Sequence, residues 1–349
     1  MLVTGHSGFK GSWLCLWLAS LGAEPIGFSN GPPSDPSLSD LSGMRAQMHS
    51  IEGDIRDGDA VLRAVEQEQP EVVFHMAAQA LVRRSLVSPA LTYEVNAMGT
   101  VNVLEAVRRT GDVRVFVNVT TDKVYENREW VWGYREHEPL QGRDPYSSSK
   151  ACAELITVAY RASFVDGDGP GIASVRAGNV IGGGDFAEDR LIPDLMRGAI
   201  ERRLSAVRNP AAVRPWQHVL NPLSGYLLLA ERLWGDLSFA DGWNFGPADG
   251  DARAVQHVVE RLADLWGEGL RWEIEQTPQP EESHYLKLDS SKARTLLGWA
   301  PRWDLERALE RTVEWYRAFE AGEPLRPLML AQLEEFAAAQ GDGGRTRGP

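Results

Sequence analysis

Residues 3–14 read VTGHSGFKGSWL. A short β-rich run, Leu2 to Thr4, leads into three glycines, Gly5, Gly8 and Gly11, and an amphipathic run, Ser12 to Leu21, leads out. At a strand-to-helix junction each glycine has its own task. Gly5 permits the tight turn, Gly8 lets the backbone approach a pyrophosphate, and Gly11 lets the helix pack close to the strand. The helix N-terminus then turns free N–H groups and the positive end of its dipole toward the anion. The spacing is G-x-x-G-x-x-G, one residue longer than the G-x-G-x-x-G of ordinary dinucleotide folds. Gly22 closes the helical run.

The same alternation continues outward. Pro25 to Phe28, Val72 to His75, Val113 to Val119 and Ile172 to Val175 read as strands, with Asp57 to Glu68, Thr92 to Arg109 and Ser147 to Ser163 as helices between them. This predicts an α/β fold: a doubly wound parallel Rossmann sheet with a smaller C-terminal substrate-binding lobe. After residue 180 the loops GGGD, RNP, VRPWQHV and WNFGP break the rhythm. The expected division is a dinucleotide-binding domain over 1–178, which includes the catalytic strand and helix, and a lobe over 179–335. Some lobe segments should return to the sheet. A disordered tail is expected over 336–349, where GDGGRTRGP has nothing to bury. The first strand is short enough to suggest that native residues precede Met1.

Composition narrows the function classes. The chain has 349 residues, 43% of them hydrophobic, with mean hydropathy −0.30, an ordinary globular balance. Lys and Arg total 36 against 49 Asp and Glu, a net charge of −13. That field repels nucleic acid and anionic membrane, so neither is an expected partner. A small anion held by local backbone N–H groups and a few arginines remains compatible. Cys15 and Cys152 have no disulfide or metal spacing, so no structural metal is expected. No secretory leader or apolar membrane-spanning run is visible, and the expected compartment is the cytoplasm.

The second strand should end in an acid that grips an adenosine ribose, but the segment is GFSNGPP. Neutral Ser29 and Asn30 leave NAD against NADP open, and the absence of an arginine for a 2′-phosphate favours NAD. Asp54-Ile55, in EGDIRD, stands where an adenine amino group could be bound. It reads equally well as a turn at Asp54 before a helix N-cap at Asp57.

Two motifs carry chemistry. In DPYSSSK, Tyr146 and Lys150 are four apart on one helix face. The lysine ammonium beside the phenol, together with a nicotinamide positive charge, would stabilise the phenolate, lower its pKa and make Tyr146 a general base. On an arbitrary helix this spacing is surface decoration; following a glycine loop in one sheet, it is a base. In VNVTTDKVY, a buried strand ends in Thr121, Asp122 and Lys123, at the carboxyl edge where open α/β sheets bind ligands. Thr121 can hold a substrate oxygen. An added acid and base suggest more than alcohol oxidation: Asp122 could protonate a leaving hydroxyl and Lys123 remove a carbon-bound proton, an elimination. The bland alternative is an exposed Asp-Lys turn.

With these motifs in place, the chain resembles the extended short-chain dehydrogenases that act on nucleotide sugars, and within them the CDP-glucose 4,6-dehydratases. The likeness runs over roughly residues 2–330, carried by FHMAAQALVRRS, NAMGTVNVLEA, TTDKVYENREWVWGYRE, RAGNVIGGGDFAEDRLIPD, RNPAAVRPWQHVLNPLSGYL and WNFGP. It implies an NAD site lined by Phe9, Lys10, Asp54, Ile55, Ala77, Ala78, Gln79, Val95, Tyr146 and Lys150. It implies a substrate site of Asn179, Arg190, Leu191, Ile192, Pro193, Arg214, Asn244 and His284. The implied cycle is oxidation at carbon 4 by Tyr146, loss of water across carbons 5 and 6 by Lys123 and Asp122, and hydride return to carbon 6. Other readings are a UDP-N-acetylglucosamine or dTDP-glucose 4,6-dehydratase, an epimerase or ketoreductase, or an inactive cofactor-sensing homologue. The insert ENREWVWGYREHEPLQGRD between Lys123 and Tyr146 favours the CDP-glucose form. A homodimer or dimer of dimers, paired through the Thr92–Arg109 and Ser147–Ser163 helices, is expected by the same resemblance.

Overall fold

The computed structural model describes residues 1–165, 169–276 and 284–339. Twelve strands follow in chain order: β1 (Leu2–Thr4), β2 (Ile26–Ser29), β3 (His49–Glu52), β4 (Val72–His75), β5 (Val115–Val119), β6 (Gly171–Arg176), β7 (Asn179–Ile181), β8 (Leu204–Val207), β9 (Val213–His218), β10 (Gly242–Asn244), β11 (Ala252–Ala254) and β12 (Arg271–Ile274). Seven of them form one sheet in the order β10-β6-β5-β4-β1-β2-β3, every pair parallel. The order reverses between β1 and β4, so the crevice at their carboxyl ends is where a ligand belongs.

Alternating side chains explain why these runs became buried strands. In β5, Val115, Val117 and Val119 join one core while Phe116 joins the core on the opposite face. Val72 and Phe74 of β4 likewise face away from Val73, the two-residue period of a strand covered on both sides. Each such buried side chain stabilises the fold by roughly 1.5–3 kcal/mol. One face is covered by the helices Gly58–Glu68 and Gly99–Thr110, the other by Phe9–Ser20 and Leu220–Gly235.

The lobe does not have a core of its own. The larger cluster runs without a break from Val3 and Trp13 to Trp315, Tyr316 and Phe336. Trp13 Nε1 also donates to the Gly183 carbonyl at 3.0 Å. The lobe adds a β7-β9-β11 sheet and a β8-β12 pair, while WNFGP returns as β10, the seventh strand of the main sheet.

Some expectations need correction. The run expected as one helix over Thr92–Arg109 is a helix at Pro89–Tyr93, a π turn at Glu94–Met98 and a helix at Gly99–Thr110. At the break, Gly99 has no room for a side chain, because Ile55 Cδ1 would lie 2.5 Å from its Cβ. The tail expected from residue 336 starts too early: the last helix is Leu325–Ala338, and Phe336 is fully buried. Residues 340–349 lie outside the described residues. The insert after Lys123 is no regular hairpin; it has one antiparallel bridge, Tyr125 to Leu140, and a stack of Tyr125, Tyr134 and Trp130.

Candidate active site

Close contacts shape the glycine loop. Gly5 has φ +72°, and a Cβ there would come within 2.7 Å of the Ala77 backbone; one at Gly11 would lie 2.3 Å from the Gly5 carbonyl. Both positions therefore require glycine. At Gly8 the only near atom is the Gly5 carbonyl oxygen, at 3.3 Å, so the missing side chain leaves open ground in front of the loop. The following helix, Phe9–Ser20, has Gly8 as N-cap and no side-chain cap. Its first-turn N–H groups thus remain available to an anion.

Across the crevice, the Thr4 hydroxyl meets His75 Nδ1 at 2.8 Å and accepts from the Met76 and Ala77 N–H groups. Asn96, in the π turn, accepts from Gln79 N at 2.9 Å and donates to Gln79 O at 3.0 Å and Ser149 Oγ at 2.8 Å. Ala77, Ala78 and Gln79 are thereby tied between the end of β4 and the Tyr146 helix. Val95, in the same π turn, packs on the core that holds Ile55. Asp54 is engaged by Arg56, whose Nη2 donates at 2.7 Å and whose hydrogen bonds hold the carboxyl below its usual range. Asp57 caps the helix Gly58–Glu68 through Ala60 N at 3.0 Å. In this structure Asp54 and Asp57 therefore make the turn and the cap.

Thr121, Asp122 and Lys123 follow β5 directly. Thr121 caps the short turn Asp122–Val124, and its hydroxyl donates to Asp122 Oδ1 at 3.0 Å. Asp122 Oδ2 is buried without a hydrogen-bond partner, and burial pushes the Asp122 pKa up against the pull of Lys123. Gly178 makes room for that oxygen, since a Cβ there would lie 3.1 Å from it. An acid whose hold on its proton is strengthened by burial suits proton donation.

Tyr146 sits in the first turn of the helix Pro145–Phe164, started by Pro145 at N1 and by a capping box of Asp144 and Ser147. Burial pushes its phenol up, opposed by the neighbouring Thr121 hydroxyl and by the charge of Arg190. The expected lowering joined Lys150 with a nicotinamide positive charge; in the chain alone the phenol stands raised. The Lys150 ammonium donates instead to the Val119 carbonyl at 3.0 Å. Burial and the charge of Lys10 push Lys150 down to about 8, against Glu154.

In front of these groups opens a cleft of about 300 Å³. Phe9, Lys10, Thr121, Asp122, Lys123 and Tyr146 line it from the sheet, and Asn179, Arg190, Leu191, Ile192, Pro193 and Arg214 from the lobe. Burial, then the charge of Arg190, push Lys10 down to about 8. Arg190 is paired with Asp185 at 2.8 Å.

The structure does not bring every expected residue there. Asn244 is fully buried away from the cleft, with Oδ1 accepting from Tyr125 at 2.7 Å and Nδ2 donating to Tyr134 O and Asp289 O. Its register beside Arg176 turns it toward the insert. The His284 side chain is exposed and outside the cleft; its carbonyl accepts from Val213 N, next to Arg214.

The sequence reading missed a buried ion pair behind the site. Glu154 accepts from Thr120 Oγ1 at 2.5 Å, Ser174 at 2.6 Å, and Arg176 Nε and Nη2 at 2.9 and 2.8 Å. Arg176 Nη1 goes on to Tyr125 and Glu136 O. Lys150 and Glu154, one turn apart, thus grip Val119 and Thr120, the two residues before Thr121-Asp122-Lys123. Signals were present: Arg176 is a lone charge ending the apolar run GIASVR, and Glu154 stands four residues after Lys150.

A glycine-looped parallel sheet with Tyr146, Lys150 and a Thr-Asp-Lys triplet at its carboxyl edge defines a dinucleotide-dependent enzyme of the extended short-chain dehydrogenase class. Residues 2–312 match the family model described as GDP-mannose 4,6 dehydratase, and the chain belongs to that family. It is 49% identical over 345 residues to CDP-glucose 4,6-dehydratase of Salmonella typhimurium, covering 97% of this chain and 96% of that one. It is 30% identical over 349 residues to dTDP-glucose 4,6-dehydratase of Streptomyces antibioticus, covering 93% and 95%. Among solved structures, dTDP-glucose 4,6-dehydratase of Streptomyces venezuelae with NAD bound superposes with TM-score 0.79 at 25% identity, covering 94% of this chain and 99% of that one.

Proposed function

We propose that the chain converts CDP-glucose to CDP-4-dehydro-6-deoxyglucose, an NAD-dependent hydro-lyase reaction that opens deoxysugar biosynthesis. The observation that carries this reading is the Thr121-Asp122-Lys123 triplet, an acid and a base beside the Tyr146 phenol in one cleft. The identity to the Salmonella enzyme supports the choice of CDP-glucose.

NAD fits the residues present: the glycine positions 5, 8 and 11, the uncapped N-terminus of Phe9–Ser20 and the tied Ala77–Gln79 segment flank one crevice. When bound, it supplies the hydride acceptor for carbon 4 and the donor for carbon 6. Tyr146 takes the proton of the sugar 4-hydroxyl while Thr121 holds that oxygen. Once carbon 4 is a ketone, the proton on carbon 5 is acidic and Lys123 removes it. Asp122 protonates the departing 6-hydroxyl, which leaves as water. Arg190 and Arg214 reach the cleft from the lobe and suit the sugar nucleotide's diphosphate.

Incubation with NAD and a panel of CDP-, UDP-, dTDP- and GDP-sugars, read by NMR for a new methyl group, tests the reading. Deuterium placed on carbon 4 should appear on carbon 6, and solvent deuterium on carbon 5. A product that keeps its 6-hydroxyl rules the scheme out.

A homodimer is the assembly we favour. Leu86, Val87, Met98, Leu155, Val158 and Phe164 are exposed apolar side chains on neighbouring helices, Val87 83% and Leu155 57% accessible, and such patches mark contact surfaces. A monomeric mass by sedimentation would refute this. Free Cys15 and Cys152 suit a reducing cytoplasm, and among the described residues no helix is long and apolar enough to cross a membrane. Activity confined to a membrane or periplasmic fraction would refute that placement.

A further inference from the structure

The dehydration proposed above leaves one proton in the wrong place after every turnover. The 4-hydroxyl gives its proton to Tyr146. Carbon 5 gives one to Lys123 and receives one back from it. The 6-hydroxyl takes one from Asp122 and leaves as water. The hydride lost from carbon 4 returns at carbon 6, so no electrons are gained or lost. At the end the sugar has lost one water, Tyr146 holds one proton more than at the start, and Asp122 holds one fewer. A second turnover requires one proton to pass from Tyr146 to Asp122.

Resting on that reading, we propose that this proton returns through the Thr121 hydroxyl. Thr121 Oγ1 donates to Asp122 Oδ1 at 3.0 Å, and the Tyr146 phenol, which lines the same cleft, is a hydrogen-bonding neighbour of that hydroxyl. A hydroxyl has one donor and two acceptor positions, so both bonds can exist together in the direction the return requires. The Thr121 O–H bond breaks as the Asp122 Oδ1–H bond forms, and the Tyr146 O–H bond breaks as a new Thr121 O–H bond forms. Thr121 ends unchanged.

Surroundings favour this route over bulk water. Thr121, Asp122 and Tyr146 are 7%, 2% and 9% exposed. Burial raises the affinity of Asp122 for a proton, opposed by the charge of Lys123, the hydrogen bond from Thr121 and the charges of Arg214 and Lys10. Burial also raises Tyr146, but Thr121 and the Arg190 charge pull it down, while the charges of Asp122 and Asp144 raise it. Thr121 thus pulls on both groups, and it is the burial of Asp122 together with the Arg190 charge near Tyr146 that reduces the difference in proton affinity across which the proton must climb.

Rapid-quench measurement of the first and later turnovers of CDP-glucose by the NAD-loaded enzyme tests this, comparing wild type with Thr121→Val and Thr121→Ser. In Thr121→Val the ratio of first-turnover to steady-state rate should rise at least about tenfold over wild type, an extra ~1.4 kcal/mol on the return step. Added imidazole buffer should restore the steady rate by carrying the proton. Thr121→Ser should keep the wild-type ratio. An unchanged ratio in Thr121→Val, with both phases slowed equally, would mean that Thr121 serves only the substrate oxygen and would overturn the proposal. Independently of turnover, NMR of ring-labelled tyrosine in the ligand-free protein should show Tyr146 titrating higher in Thr121→Val than in Thr121→Ser; equal titration also overturns it. Wild type that makes no 6-deoxy product from CDP-glucose refutes the dehydratase reading itself, and the relay with it.

Discussion

Glu154→Gln tests how the Thr121-Asp122-Lys123 triplet is held in place. The carboxylate is fully buried and accepts from Thr120, Ser174 and two nitrogens of Arg176. Glutamine preserves size but removes the charge and turns one acceptor into a donor, leaving the Arg176 guanidinium as an uncompensated buried cation. Breaking such a pair from one side costs about 3–5 kcal/mol. At about 1.4 °C per kcal/mol for a chain of 349 residues, the melting temperature should fall by roughly 4–7 °C. Calorimetry or urea unfolding reads this directly. Replacing both partners with methionine should recover most of the loss, because an apolar pair of similar volume avoids desolvating two charges. A Glu154→Gln protein within about 1 kcal/mol of wild type, or a double variant less stable than either single one, would refute the reasoning. A second readout follows from Lys150: the Glu154 charge is what opposes its low pKa, so the pKa should drop further below about 8 in Glu154→Gln.

Asp122→Asn should lower dehydration about 10²–10⁴-fold by removing the general acid, with reduced cofactor accumulating in stopped-flow absorbance. The same variant should melt higher at neutral pH. The folded-state pKa of Asp122 is raised, so the native state binds more protons and loses stability as pH climbs past the unfolded carboxyl value; thermal scans across pH check the sign. Gly11→Ala should abolish NAD binding by calorimetry and destabilise by about 1–3 kcal/mol, since its Cβ would lie 2.3 Å from the Gly5 carbonyl. Lys150 titrates near 8 in the folded protein against 10.5 ordinarily, so its buried charge costs stability below pH 8, and that cost fades as pH rises to 10.5. Lys150→Met should flatten this rise in melting temperature, though not remove it, because Lys10 shifts the same way.

What was legible in the sequence was local. The glycine loop could be read because a turn, a close approach and a tight helix contact each need a residue without a side chain, and Gly5 and Gly11 have those contacts. The triplet after β5 could be read because an acid and a base ending an apolar strand must face the crevice or water. Asn244 and His284 could not be placed: a motif gives residue type, while register decides direction, and β10 pairs Asn244 with Arg176. The π turn at Glu94–Met98 leaves no mark in apolar periodicity, yet it is what brings Asn96 to Gln79. Glu154 and Arg176 each stand out locally, but their pairing joins positions 22 residues apart, and only the fold brings them together.

The use of lysine adds a signal of another kind. Only five of the 36 basic residues are lysine, at 10, 123, 150, 287 and 292. Three of the five lie at the candidate site, Lys10 and Lys123 lining the cleft and Lys150 buried behind Val119. Elsewhere the chain uses arginine for surface ion pairs such as Arg108 with Glu105 and Arg261 with Glu306. Arginine stays charged whatever its surroundings, whereas lysine can be driven to release its proton. In a protein of net charge −13, the ammonium groups are thus concentrated where a cation must both attract a diphosphate and be able to lose its charge. The acidic surface and the basic cleft are compatible because low-dielectric walls focus the local field. Substituting arginine at Lys10 or Lys150 should therefore preserve attraction for anions while removing the titration near pH 8, which separates the two uses of the charge.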